Sequence, residues 1–202
     1  MGRRSDHSRE ELVALILDEG QQLMAEVGFA RFSAREVAKR IGYSVGTIMN
    51  LFGSVDGLVL AINSRSFLLW AEMLIRALQD GGGDRIHALV RGYFAFAKQH
   101  RNLWSAIYEH RLPEGMLLPA DLAEQRARLT DIVISEVASA LPTLDSDSAA
   151  SLGRSLIATV HGHCAFALNG SFDLLGEADP MALATARVDE VLESHRKAQR
   201  RR

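Results

Sequence analysis

The chain has 202 residues, of which 48% are hydrophobic and 24% are charged, and its formal net charge is −2 at pH 7. This is the composition of a soluble globular protein with one or two domains, and the charge balance argues against a general nucleic-acid binder. Cys164 is the single cysteine, which excludes an internal disulfide framework. No apolar run approaches the length of a membrane span and no secretory segment follows the first arginines, so we expect a cytoplasmic protein without membrane contact.

An amphipathic helix is predicted over residues 8–27. Leu12 and Ile16 recur on one side of it at helical spacing, and Ser8 has the side chain of an N-cap residue. Gly28 follows and can take the backbone conformation that ends a helix. The pattern therefore predicts a first helix that packs one face against a core.

Two short helices follow and meet at a glycine. Ser33 begins the first, and Glu36 three residues later predicts a capping box. Gly42 accepts the left-handed conformation that stops a helix within one turn, and Ser44 caps the second helix. The pattern of the second helix places Val45, Ile48 and Phe52 inward and Thr47, Asn50 and Leu51 outward. Such a pair predicts a helix-turn-helix, and it is equally compatible with a helical hairpin that only packs.

The segment from Val37 to Leu58 resembles the DNA-binding segment of TetR-family repressors. The matching positions are Phe32, Val37, Ala38, Gly42, Ser44, Gly46, Thr47, Phe52, Ser54 and Leu58. The resemblance implies an all-α fold, with a three-helix DNA-binding domain over residues 1–54 and a ligand-binding and dimerisation domain over residues 55–202. It further implies a transcriptional repressor that binds double-stranded DNA as a homodimer and is released by a small-molecule effector. The half-sites of a near-palindromic operator would lie about 34 Å apart.

The resemblance also assigns roles to single residues of the DNA-binding segment. Bases of the major groove would be nearest to Val45, Gly46, Thr47 and Asn50, and asparagine suits bidentate contact to adenine. Phosphates would be contacted by Ser33, Arg35 and Tyr43, and the interface would also include Ser44, Met49 and Leu51. Residues 31–40 supply a local basic patch, formed by Arg31, Arg35, Lys39 and Arg40 against Glu36 alone. Arg3 and Arg4 would add positive charge at the N-terminus.

Two positions depart from the family pattern. Met49 stands where relatives usually carry a tyrosine, and Val55 stands where they usually carry a lysine. Both family residues hold the DNA backbone, and neither methionine nor valine can do so. The departures leave open a different class of protein, a helical ligand-binding or enzyme subunit whose helix-turn-helix has degenerated.

The remainder of the chain is predicted to be entirely helical. Its prolines all lie between helical patterns, and together with the glycines at 81–83 they divide it into separate segments. The predicted helices are 55–80, 84–100, 102–111, 120–141, 147–169 and 180–199, which makes about nine in the whole chain. The helix over 55–80 would be roughly 39 Å long, enough to act as a lever between two bundles.

The 147–169 helix is apolar on nearly every side, which predicts burial against more than one neighbour. Ala158, Gly162 and Ala165 form a stripe of small residues along it. We therefore predict a dimer in which this helix and the 180–199 helix, through Val188 and Leu192, form a four-helix bundle with a second copy.

Aromatic and histidine side chains among the apolar helices could enclose a pocket. The candidates for a small, mainly apolar effector are Trp70, Tyr93, Trp104, Tyr108 and His161. The resemblance favours such a pocket, because TetR-family proteins bind effectors in this domain. Val160-His161-Gly162 also resembles the Trp-His-Gly motif of one TetR ligand-domain subgroup, with valine in place of tryptophan.

Enzyme chemistry is not indicated. His161 and His163 lie about 200° apart around a helix and cannot share a metal ion. Cys164 at an apolar helical position is typical of an inert buried thiol. The sequence contains no phosphate-binding loop and no nucleophile elbow. We therefore expect no catalytic residues, no metal and no cofactor.

Overall fold

The computed structural model of the protein describes residues 7–80 and 82–200, and within them the fold is all-helical, as predicted. The ten α-helices are α1 (Arg9–Val27), α2 (Ala34–Ile41), α3 (Val45–Phe52), α4 (Val55–Asp80), α5 (Arg85–Gln99), α6 (Arg101–Glu109), α7 (Ala120–Ala140), α8 (Ser146–Leu168), α9 (Ser171–Leu174) and α10 (Pro180–Gln199). A single 3₁₀ turn, Phe29–Arg31, follows α1. The candidate DNA contacts Arg3 and Arg4 lie outside the described residues.

Most predicted helices begin and end within two residues of their observed limits. The exception is α9, which the sequence did not predict, because four residues are too few to show a helical period. Gly170 precedes α9, and a short turn then leads to α10. The described residues thus contain one α-helix more than the nine expected for the chain.

The helices pack as two units. The N-terminal unit contains residues up to Phe67 together with 100–125, and the C-terminal unit contains 68–99 and 126–200. Helix α4 contributes its first half to the N-terminal unit and its second half to the C-terminal unit, while α6 belongs to the N-terminal unit. This division describes packing. The boundary of the DNA-binding domain at residue 54 stays a prediction about function.

The N-terminal unit has a small core, to which α1, α2, α3 and α4 each contribute buried side chains. Ile16, Met24, Val37, Ile48 and Leu58 are completely or almost completely buried. Burial of such side chains stabilises a fold by roughly 1.5–3 kcal/mol each relative to their exposure. Helix α1 packs against α2, and α2 packs in turn against α3.

Three polar side chains attach α4 and α6 to the rest of the N-terminal unit. The Asn63 amide donates to the Ala106 carbonyl at 3.1 Å, and the Asn102 amide donates to the Ala25 carbonyl at 2.7 Å. The His110 Nε2 lies 3.1 Å from a carboxylate oxygen of Asp56, in the first turn of α4. The helix that follows the helix-turn-helix is thus held at its beginning and at its middle.

The C-terminal unit is built around aromatic rings of α4 and α5. Trp70 is fully buried, stacks on Phe96 with centroids 4.5 Å apart, and meets Tyr93 edge-on at 4.6 Å. Gly92 permits this close packing, because a Cβ atom there would lie 2.6 Å from a methyl carbon of Leu74. The aromatic side chains expected to form a pocket are therefore largely core residues.

Helix α4 has the length and the apolar composition of a membrane span, contrary to the expectation that no segment approaches one. Over its most apolar 18-residue window, 56% of the residues are buried inside the protein. The apolar side chains of α4 are thus mostly part of the protein core.

Candidate nucleic-acid interface and ligand cavity

The start of α2 is capped more simply than predicted. The Ser33 hydroxyl accepts from the Glu36 backbone N–H at 3.4 Å, but the Glu36 carboxylate does not complete a capping box. It lies instead 3.7 Å from the Lys39 ammonium and 3.6 Å from the Arg40 guanidinium. Ser33 is thus fixed at the helix start as an N-cap, where its predicted phosphate contact would also be made.

The turn between α2 and α3 follows from two residues whose conformations are nearly forced. Gly42 takes the left-handed conformation, with φ of 75° and ψ of 24°, and ends α2. Ser44 then caps α3, accepting from the Thr47 N–H at 3.2 Å, and its hydroxyl also lies 3.0 Å from that of Thr47. The first turn of α3 is therefore capped by a side chain, at the positive end of the helix dipole.

Helix α3 presents most of its surface outward. Ile48 is the one fully buried residue of this helix, whereas Gly46 and Asn50 are exposed. Thr47, Met49 and Leu51 are half-buried. The inward orientation predicted for Val45 is wrong, because its side chain is 38% exposed at the first position of the helix, before the turn that contacts the core. This orientation suits the base contact that the resemblance implies for it.

The basic patch of α2 is smaller than its sequence indicates. The Arg40 guanidinium pairs with Glu19 at 3.0 Å and with Glu26 at 2.8 Å, both on α1. Hydrogen bonds to these carboxylates, Glu26 foremost, raise the pKa of Arg40, and the pKa of Glu26 is lowered in return. Arg40 therefore holds α2 against α1, while Arg35 and Lys39 are exposed on the same helix.

Tyr43 precedes the cap of α3 and is linked to the beginning of the described chain. Its hydroxyl lies 2.8 Å from Nδ1 of His7. Tyr43 directly precedes Ser44, the cap of α3, and the phosphate contact predicted for Tyr43 stays a prediction.

A small apolar cavity lies within the C-terminal unit. It is lined by Leu74, Ile86, Leu89, Val90, Tyr93, Val133, Val137, Leu156, Ile157, Val160 and Val188, and its volume is about 40 Å³. This is far below the roughly 300 Å³ at which small-molecule sites begin. A ligand would have to enlarge it by moving apolar side chains.

Tyr93 is the one predicted pocket residue that lines this cavity. Its hydroxyl lies 2.9 Å from Nδ1 of His161, and burial lowers the pKa of His161. Trp70 packs against the Tyr93 ring without lining the cavity. Trp104 and Tyr108 belong to the N-terminal unit, where their rings contact each other at 5.3 Å, and their place in an effector pocket stays a prediction.

The outer face of α8 carries an open apolar groove. It is lined by Ala158, Thr159, Gly162, His163, Phe166, Phe172 and Leu175, with a volume of about 370 Å³. Ala158 is exposed and Ala165 is half-buried, and Phe166 is 48% exposed. Val188 and Leu192, by contrast, are each 2% exposed inside a single chain, so their predicted place in a dimer interface is wrong.

Metal-binding and nucleophilic side chains do not cluster in the described residues. No group of three His, Cys, Asp or Glu side chains there is close enough to hold a metal ion. Cys164 is buried, and desolvation raises the pKa of its thiol to about 12, which keeps it protonated and unreactive at neutral pH.

Family models and solved structures were compared with this chain. The model described as bacterial regulatory proteins of the tetR family matches residues 16–62, and the tetracyclin repressor-like C-terminal domain matches residues 86–191. No curated protein matches the sequence.

Solved structures with the same fold have low sequence identity. A protein of unknown function from Rhodococcus sp. RHA1 is 22% identical with a TM-score of 0.71, over 96% of this chain and 98% of that one. A possible TetR family transcriptional regulator from Streptomyces coelicolor A3(2) is 16% identical, with a TM-score of 0.64 and coverage of 92% and 99%. The multidrug binding protein EbrR, solved with imidazole, is 22% identical, with a TM-score of 0.60 and coverage of 94% and 96%.

The two family matches include the whole helix-turn-helix and most of the C-terminal unit. The observed elements are those the matches require, namely a capped turn, an outward-facing α3 and a following helical domain. The chain belongs to the TetR family, and it is a DNA-binding transcriptional regulator.

Proposed function

We propose that this protein is a cytoplasmic repressor whose α3 enters the major groove of its operator. The observation that carries the proposal is the outward surface of α3, where Asn50 and Gly46 are exposed beside a firmly capped first turn. The major groove of B-DNA is wide enough for one α-helix, and an asparagine amide can pair with adenine there. Val45 and Thr47 supply apolar and hydroxyl contacts next to it.

The apolar cavity lined by α4, α5, α7, α8 and α10 is the proposed site of the effector. Its lining is apolar apart from the Tyr93 hydroxyl, so the ligand class is small, uncharged and hydrophobic. The relative EbrR is a multidrug binding protein, which supports effector binding in this fold. An effector changes DNA affinity only by its different affinity for the two states of the protein, and release follows if it favours the weakly binding state. The Val160-His161-Gly162 sequence supports placing the chain in the Trp-His-Gly-type subgroup.

The groove on α8 is the proposed dimer interface. Ala158, Gly162 and Phe166 expose apolar surface there, and a Cβ at Gly162 would meet nothing within 4 Å. A second copy related by two-fold symmetry would cover this surface with the same surface of its own. Two DNA-binding units would then read a near-palindrome with half-sites about 34 Å apart.

Loss of the Asn50 amide tests whether α3 reads bases. Duplexes bound by the wild-type protein are first selected from random sequence. Asn50→Ala should then weaken binding to the selected duplex by roughly 1–3 kcal/mol, because a bidentate base contact is lost. Its thermal stability should stay unchanged, because the side chain is exposed.

The matched control is Gln79→Ala, which removes an exposed amide from α4 in the C-terminal unit. Its affinity for the selected duplex should equal that of the wild type. If the wild-type protein selects no duplex from random sequence, the proposed function is contradicted. If it does select one, and Asn50→Ala binds that duplex as tightly as the wild type does, only the proposed role of Asn50 in reading bases is contradicted.

A further inference from the structure

Helix α3 carries no charged side chain. Its eight residues, all within the described part of the chain, are valine, glycine, threonine, isoleucine, methionine, asparagine, leucine and phenylalanine. Guanine is most often read by arginine or lysine, and cytosine by an acidic side chain that accepts from its amino group. Helix α3 therefore lacks the side chains that most often read G·C pairs.

The exposed residues of α3 match the groups that A·T pairs present in the major groove. Thymine shows a methyl group there, which apolar side chains contact, and adenine shows a donor beside an acceptor, with which an asparagine amide pairs. Val45 is exposed at the first position of the helix, and Asn50 is exposed further along it. The helix thus offers DNA an apolar group and an amide.

Thr47 adds a methyl group between these two residues. Its hydroxyl lies 3.0 Å from that of Ser44, and its backbone N–H donates to the same Ser44 hydroxyl at 3.2 Å. The hydroxyl of Thr47 thus takes part in the cap of α3, which leaves its methyl group for a base. Threonine methyl groups, like other apolar groups, contact the methyl group of thymine.

Gly46 gives DNA room to approach the first turn of α3. Its φ is not positive, and a Cβ atom there would have the Ser44 hydroxyl oxygen as its nearest neighbour, at the ordinary distance of 3.5 Å. The fold would therefore accept alanine, which has the higher helix propensity. A residue without a side chain at this exposed position lets the backbone come close to a ligand, and a thymine methyl group projects into the major groove.

The cations that precede α3 in sequence lie on α2. The guanidinium of Arg40 is paired with two carboxylates of α1, and the Lys39 ammonium lies 3.7 Å from the Glu36 carboxylate. Arg35 is exposed near the start of α2. In a helix-turn-helix the first helix crosses the DNA backbone, and the second lies in the major groove. Under that geometry the cations of α2 contact phosphates, and base reading is left to α3.

We propose that α3 reads a block of A·T base pairs, through thymine methyl groups that contact Val45 and Thr47 and approach closely at Gly46. The inference rests on the proposed function and names the class of operator half-site. Helix α3 has eight residues and is therefore about 12 Å long, comparable to roughly three or four base pairs at 3.4 Å each. Each half-site should contain an uninterrupted run of A·T pairs of that length, which is called the core below.

The test begins with selection of duplexes from random sequence by the wild-type protein. Each thymine of the selected core is then replaced singly by deoxyuridine, which removes only the methyl group. At the thymine that contacts Val45 the replacement should weaken binding about fourfold, the change expected for one buried methyl group. In Val45→Ala the same replacement should have little effect, because residues in contact give losses that do not add.

Gly46→Ala separates base reading from folding. Its Tm should rise, because alanine has the higher helix propensity. Its affinity for the selected duplex should fall about tenfold, because the new methyl group would overpack the space of the thymine methyl group.

The matched control for Val45→Ala is Ile75→Ala, which removes an apolar side chain of nearly equal exposure from the C-terminal unit. It should bind every duplex as the wild type does. Deoxyuridine placed between the two half-sites should leave the affinity of the wild type unchanged.

The outcomes distinguish the inference from the function on which it rests. A selected core with G·C pairs in it overturns the inference and leaves the proposed function standing. The same holds if deoxyuridine can replace every thymine of the core without loss of affinity, or if Gly46→Ala binds as tightly as the wild type. A wild-type protein that selects no duplex overturns the proposed function and this inference with it.

Discussion

Among single residues, His161 makes the stability of the protein depend on pH. Its ring contacts the hydroxyl of Tyr93, which lines the apolar cavity. Burial lowers its pKa from the ordinary value of 6.5, so the folded protein binds a proton there less readily than the unfolded chain. Stability from this site is therefore complete above pH 6.5 and is lost as pH falls from that value to the lower pKa of the folded state. The unfolding free energy of the wild type should decline between pH 7.5 and pH 5.5, as measured by urea denaturation.

His161→Gln should show a smaller decline over the same interval, because its amide does not titrate. The control is Gln79→Ala, which removes no titratable group and whose decline should match that of the wild type. Parallel curves for the wild type and His161→Gln would show that the ring is solvated in the folded protein. The quantity to compare is the difference in unfolding free energy between variants. Carboxylates with lowered pKa values, such as Glu11 and Glu26, also reduce the stability of the protein when acid protonates them.

At this scale, the sequence predicted residues whose backbone conformation leaves little choice. Gly42 and Ser44 are where the pattern places them, since one ends a helix in the left-handed region and the other begins the next. Glu36 and Arg40 were misjudged, because long charged side chains choose among several partners that only tertiary structure brings near. Arg40 finds its partners on α1, 14 and 21 residues away.

At the scale of elements, the two family departures lie on either side of the α3–α4 turn. Met49 is half-buried and Val55 is 45% exposed, so neither substitution is required by the core. Fewer backbone contacts should give a weaker and less salt-sensitive binder than relatives with tyrosine and lysine there. The double variant Met49→Tyr/Val55→Lys should tighten binding to all duplexes about equally and steepen the salt slope by about one.

A control for the added charge is Ile75→Lys, at a 37% exposed position of α4 in the C-terminal unit. It should leave the salt slope unchanged. Filter binding over a series of salt concentrations provides both quantities. If the double variant has the wild-type affinity and slope, residues 49 and 55 do not face the DNA backbone, and the placement of α3 in the groove is wrong.

The limits of the helices were predicted well where glycine or proline separates them. Which helices pack together was predicted poorly, because this depends on tertiary contacts. The prolines and glycines between helices are local signals, so helix limits could be located from the sequence. The cavity lining could not, because it combines α4, α5, α7, α8 and α10. Aromatic residues suggested a pocket, yet aliphatic side chains form most of its wall. Trp70 instead fills the core beside it.

For the whole molecule, the exposed face of α8 predicts the oligomeric state. The wild type should sediment as a dimer at micromolar concentration, because apolar surface of this kind is stabilised by burial. Ala158→Arg should shift the protein to monomers, because it would place an unpaired charge in the contact. Sedimentation velocity measures both.

The matched control is Ala127→Arg, an exposed alanine of α7 outside the groove. It should remain dimeric. A monomeric wild type, or a dimer in Ala158→Arg as stable as that of the wild type, would exclude this face as the contact between copies. Val188 and Leu192 cannot serve as reporters, since their replacement would disturb the core of each chain.

Helix α3 is attached to the core through Ile48, so selection for folding acts on Ile48 while selection for DNA sequence acts on the outward residues. If α3 reads the operator as proposed, changes at Val45, Gly46, Thr47 or Asn50 would alter which DNA is bound while the core contact through Ile48 stays intact. A duplicated copy of this regulator can therefore drift from one operator to another by single outward substitutions, each of them folded and present in the cell. The same arrangement suits α3 for engineering, because DNA specificity can be changed by substitutions at the exposed positions while Ile48 is kept.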